Sequence, residues 1–137
     1  MNNCYDRQTI TDSILFSVQK MIGVEEPCEN NAFFSPDIVM HINSVLAELV
    51  QMGVGPSTGF TVVDETQLWT DFLAEAESPE LYNMIKTYVG LKVRLLFDPP
   101  ANSNLTAAIE KQIAECEWRL YIQADTERID KEKAKKA

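Results

Sequence analysis

The sequence predicts an all-α chain, a four- to five-helix bundle with one small β-hairpin-like arm and a projecting C-terminal helix. Three observations predict it. Apolar residues recur at threes and fours through most of the 137 residues, the period of a helix that buries one face. Two Ser-Pro pairs, Ser35-Pro36 and Ser78-Pro79, precede such runs. A serine cap followed by proline at the first helical position is a helix start. Only Phe60-Thr61-Val62-Val63 has strand character.

Residues 1–10 are polar and read as a flexible lead-in. A first helix is expected from Asp12 to Ile22, with Thr11 or Asp12 as cap, Ile14, Leu15, Val18, Met21 and Ile22 on one face, and Gly23 as the stop. Residues 25–34 form a loop around Pro27. The second helix starts at Pro36, with Asp37 complementing its dipole, and carries Ile38, Ile42, Val45, Leu46 and Leu49 to the stop at Gly53. The glycine-rich stretch 53–59 leads into the arm at 60–63. It has no lysine, so it lacks the chemistry of a phosphate-cradling loop. A short third helix is expected over residues 65–76, presenting Leu68, Trp69, Phe72 and Leu73.

The fourth helix follows Ser78. Its apolar residues, from Leu81 through Tyr88, Leu91 and Leu95, fall on more than one face, the pattern of a helix packed on several sides. Phe97-Asp98-Pro99-Pro100 ends it, because a proline forces the residue before it out of helical geometry. The fifth helix begins after Asn102-Ser103-Asn104 and runs to about Asp125 through Leu105, Ile109, Ile113, Cys116 and Leu120. The expected core includes Ile42, Leu46, Tyr88, Leu91, Leu95, Ile109 and Ile113. The chain thus divides into a flexible segment 1–10, a helical domain 11–125 and a charged extension 126–137.

Hydrophobic residues make up 45% of the chain and charged residues 24%, which excludes a disordered sequence. No apolar run approaches the roughly 20 residues that span a bilayer. The N-terminus lacks a basic region followed by an apolar core, so no secretory signal is expected and an intracellular, soluble location follows. Net charge is −9, unevenly spread. Residues 127–137 carry five basic and three acidic groups, while the other 126 residues carry seven basic and 18 acidic, a net of −11. An acidic body repels phosphate backbones and is not built to wrap nucleic acid; solubility is the plainer use of the charge.

Chemistry-bearing constellations are few. Cys4, Cys28 and Cys116 are widely spaced, with no paired motif for a metal or disulfide. His41 is the only histidine, and Asp37 one turn earlier gives two ligands at most. The acidic group Asp71, Glu75, Glu77 and Glu80 flanks a loop, where a solvated surface is the simpler account. No cofactor is expected, and no catalytic constellation emerges. Trp118, Arg119 and Tyr121 sit late on the last helix. Aromatic residues beside arginine suit the centre of a protein interface, the alternative being that Trp118 closes the core.

Lys86 to Pro100 (KTYVGLKVRLLFDPP), followed by a helix carrying Glu117-Trp118-Arg119-Leu120, resembles the head–tail connector, or adaptor, proteins of long-tailed phages and prophages of Gram-positive hosts. His41-Ile42-Asn43 and Gly53-Val54-Gly55-Pro56 fit the same pattern. The resemblance spans residues 13–125. It implies a structural subunit of the virion neck, assembled in the host cytoplasm. The subunit forms a dodecameric ring below the portal that extends the channel through which double-stranded DNA leaves. It also implies that the C-terminal helix docks on the portal, and that the far end of the ring receives a stopper or tail-completion protein. No membrane is involved. On that reading Trp118, Arg119, Tyr121, Ile122, Arg128, Lys131 and Lys133 are the portal-binding candidates, with the basic tail suited to an acidic portal surface. Composition alone also permits a competing class, an acidic inhibitor or DNA mimic that occupies a site on a host protein.

Overall fold

A computed structural model describes residues 6–23, 36–73 and 79–136. Six helices follow one another: α1 Arg7–Asp12, α2 Ile14–Met21, α3 Pro36–Gln51, α4 Trp69–Phe72, α5 Pro79–Phe97 and α6 Ser103–Lys136. The architecture is all-α. Helix α5 packs on α3, on α6 and on α2, so it occupies the middle of the domain. Its stripe Leu81, Ile85, Tyr88, Val89 and Val93 is buried.

The N-terminal part differs from expectation. Arg7–Asp12 is helical and Ile10 is buried in the core, so residues 7–10 are not a flexible lead-in. Asp6 makes this possible, since its carboxylate accepts from the Thr9 N–H at 2.7 Å and caps the first turn. The helix expected over residues 12–22 is interrupted at Ser13, whose backbone is extended. Ser13 closes α1 and opens α2 at once, its hydroxyl accepting from the Phe16 N–H at 3.2 Å. A residue whose side chain can serve the freed backbone makes such a break cheap.

Helix α3 starts at Pro36 as expected and α5 at Pro79; Ser35 and Ser78, expected to cap them, lie outside the described residues. Its end is a left-handed glycine stop. Gly53 has φ +92°, the Val54 N–H donates to the Leu49 carbonyl and the Gly53 N–H to the Val50 carbonyl, and Val54 is buried beside Leu49.

The β-like arm is not a hairpin. Residues 60–63 belong to no strand, and among the described residues the only bridge pairs Ser13 with Leu68. The arm is held instead by side chains, Asn43 at Val62 and Gln67 at Val63. Asn43 donates to the Val62 carbonyl at 2.9 Å and accepts from the Val62 N–H at 2.7 Å. Its amide thus replaces a partner strand at a single residue. The third helix starts later than its expected 65–76, of which residues 74–76 lie outside the described residues. The Gln67 side-chain carbonyl accepts from the N–H groups of Val63 and Asp64, and Asp64 accepts from Thr66. That turn occupies the residues where a longer helix would begin, and among the described residues of this stretch only Trp69–Phe72 is helical. Trp69 and Phe72 are buried there, and the Trp69 indole donates to the Ser17 hydroxyl at 2.7 Å.

Ile42, Leu46, Tyr88, Ile109 and Ile113 are buried. Leu91 and Leu95 are not fully so; they lie half-buried against the edge of the core. At about 100° per residue they fall on the flank of the α5 stripe. Leu96 and Phe97 are exposed, because α5 runs past the core at its C-terminal end.

Candidate functional site

Asn102 launches α6. Its side-chain oxygen accepts from the Asn104 N–H at 2.8 Å and from the Leu105 N–H at 3.3 Å. The helix has 34 residues and is about 51 Å long at ~1.5 Å per residue. It therefore runs about three turns past its expected end at Asp125. Ile109, Ile113, Cys116 and Leu120 are buried, and Ala124 packs at the core edge beside Gly53. From Thr126 onward every side chain that is described is exposed. The last three turns project beyond the domain that supports the helix.

From Trp118 onward the outer side of α6 carries exposed apolar surface. Trp118 is 64% exposed, Tyr121 58%, Ile122 44% and Ile129 38%. At about 100° per residue, positions 118, 122 and 129 fall within about 40° of one another. The buried set 109, 113, 116 and 120 centres on the opposite side of the helix. Trp118 therefore does not close the core, because it points away from it. Arg119, Lys131 and Lys133 are exposed as well. Arg128 is engaged within the helix, 2.7 Å from Asp125 and 3.3 Å from Glu132.

Where α6 leaves the core, three helices are tied by charge. Lys92 Nζ of α5 lies 2.6 Å from Glu48 of α3 and 3.6 Å from Glu117 of α6. The Tyr88 hydroxyl donates to Glu117 at 3.1 Å, with Glu48 at 3.4 Å. Burial, then the two carboxylates, push the Tyr88 hydroxyl far above its ordinary value. Lys92 also sits 5.5 Å from the centre of the Tyr88 ring. The cluster is positioned one residue before Trp118, so it fixes the direction in which the exposed stripe leaves. Residues 44 and 69 apart in sequence meet here, and no local pattern announces them.

Beyond this cluster an open concavity of about 550 Å³ separates the end of α3 from the projecting helix, lined by Met52, Gly53, Tyr121, Ala124, Arg128 and Lys131 among others. It is mixed in polarity. Among the described residues, no three His, Cys, Asp or Glu side chains gather to hold a metal. His41 is half-buried on α3 and Asp37 exposed. Cys116 is a buried free thiol pushed up by burial; Cys4 and Cys28 lie outside the described residues, as do Glu75 and Glu77. Among the described residues, no helix is long and apolar enough to cross a membrane.

A small helical body that sends one amphipathic helix outward is the form of an assembly subunit, one that works by docking. The family model described as phage connector protein matches residues 14–127, and the chain belongs to that family. Its role is that of a structural connector of the phage particle. The match begins at the first residue of α2 and ends within the projecting part of α6. It includes Trp118, Tyr121 and Ile122. No curated protein and no solved structure matches the chain.

Proposed function

We propose that the chain is a head–tail adaptor that assembles as a dodecameric ring between the portal and a stopper or tail-completion protein, lining the channel through which double-stranded DNA leaves the head. The projecting half of α6 is its portal anchor, with Trp118, Tyr121 and Ile122 at the contact and Arg119, Arg128, Lys131 and Lys133 around it. The observation that carries this reading is the stripe 118–122–129, which is exposed on the side of α6 opposite its own core. A large aromatic side chain held outward by a rigid helix suits the centre of an interface. The charge of the body fits the channel role. With 18 acidic and seven basic groups in the first 126 residues, a ring of such bodies repels the phosphate backbone and lets DNA pass without holding it. Ring contacts join two different patches on each copy. No observation favours the DNA-mimic class over this one.

The test is docking to portal-bearing heads that lack the connector. The wild-type chain is expected to co-sediment with them and to restore tail joining. Trp118→Ala combined with Ile122→Ala is expected to leave the folded domain intact and abolish both. If the double variant joins heads with unchanged affinity, α6 is not the anchor.

A further inference from the structure

Asp125 and Glu132 interrupt the apolar stripe of the projecting helix. Positions 118, 122, 125, 129 and 132 alternate by fours and threes, so the two carboxylates lie along the line of Trp118, Ile122 and Ile129. A stripe that docked with two bare carboxylates on it would have to desolvate them, which costs several kcal/mol for each unpaired charge. Arg128 lies to one side of the line and reaches both, at 2.7 Å to Asp125 Oδ1 and 3.3 Å to Glu132 Oε1. In the free chain these pairs are exposed, with Arg128 side-chain exposure of 62%, and exposed pairs at this spacing add little to stability. Their effect on the charge of the face is larger than their effect on folding.

We propose that Arg128 acts on docking by pairing with both Asp125 and Glu132, lowering their net charge from −2 to −1 and leaving neither carboxylate unpaired, so that the stripe Trp118–Ile122–Ile129 can enter an apolar groove of its partner, and not by pairing with an acidic partner surface. The inference rests on the anchor reading above. It makes Arg128 a positioning residue, not a contact. The partner groove is lined by apolar side chains, as in other cases where an amphipathic helix lays its apolar face into a groove.

The experiment uses the full chain and portal-bearing heads, with affinity read by co-sedimentation and helicity by circular dichroism. Arg128→Met removes the cation and keeps an unbranched apolar stem. It is expected to weaken docking on the order of tenfold or more, as two carboxylates lose their partner on a surface being desolvated. Adding Asp125→Asn and Glu132→Gln to that variant is expected to restore docking, although the arginine is still missing. Rescue is the decisive readout, because a lost contact between Arg128 and the partner cannot be restored by changing Asp125 and Glu132. Arg128→Met binding as wild type overturns the proposal. So does a triple variant that keeps wild-type helicity and still fails to dock. A wild-type chain that does not join portal-bearing heads overturns the anchor reading and this inference with it.

Discussion

Leu120 and Ile129 lie nine residues apart on one helix and should behave as residues of two different proteins. Leu120 is fully buried, whereas Ile129 is 38% exposed on the projecting turns. Leu120→Ala removes a buried isopropyl group and leaves a cavity between α6 and its neighbours, a change that costs about 2–5 kcal/mol. Against a total stability of about 5–15 kcal/mol, that is a large fraction. With a urea slope of about 1–3 kcal/mol/M, the unfolding midpoint followed by circular dichroism should fall by roughly 1–2 M. Ile129→Ala should move it by less than about 0.3 M, since surface substitutions stay within about 0.5 kcal/mol. The same contrast decides where the chain can be cut. Deleting residues 126–137 removes only the projecting turns and the exposed Arg128 pairs. Deleting 119–137 also removes Leu120 and Ala124, and should cost at least as much as Leu120→Ala. Equal midpoints for the two truncations, or an Ile129→Ala loss as large as that of Leu120→Ala, would refute the division of α6 into a core half and an anchor half.

Asn43→Ala should cost about 1–3 kcal/mol, because the buried-side N–H and carbonyl of Val62 lose their partner together; urea unfolding checks it, and faster proteolysis near residues 60–66 should accompany it. Gly53→Ala should cost about 1–2 kcal/mol, since φ is +92° and the new methyl would stand 3.4 Å from the Ala124 methyl of α6; a thermal midpoint unchanged from wild type would contradict the left-handed stop. Stability should fall at alkaline pH. Burial raises Tyr88, Tyr82 and the Cys116 thiol above their ordinary values, so the folded chain holds these protons more tightly than the unfolded chain. Their contribution is complete below about pH 9 and is lost progressively as pH rises through the raised values. Lys86, lowered by burial against Tyr82 and Trp69, works in the opposite direction. Three raised groups outweigh the one lowered lysine, so denaturant midpoints should fall from pH 8 to 11, and Tyr88→Phe should flatten the profile.

The sequence by itself determined the class, most of the helices and the family. Helical spacing places Ile38, Ile42, Val45, Leu46 and Leu49 on one face because burying an α-helix leaves its period in the sequence, and all five are buried. The Ser-Pro starts and Gly53 are legible for the same local reason: a cap or a left-handed stop acts within a few residues of its cause. The resemblance carried by residues 86–100 and 117–120 led to the family that the match over 14–127 shows.

Tertiary structure decided the rest. Phe60–Val63 reads as a strand by composition, but a strand needs a partner strand, and here the backbone pairs with side chains, Val62 with Asn43 19 residues away and Val63 with Gln67. Leu91 and Leu95 read as core because they are apolar on a helix packed from several sides, yet α3, α6 and α2 leave their flank half covered. Trp118 was equally suited to closing the core or to an interface. Composition cannot separate these, because both need a large apolar residue at helical spacing. What separates them is the face of α6 that Ile109, Ile113, Cys116 and Leu120 commit to the core, and the joining of Glu48, Lys92 and Glu117 that holds the helix in that rotation. Those contacts join residues far apart in the chain, so they exist only once the helices have packed.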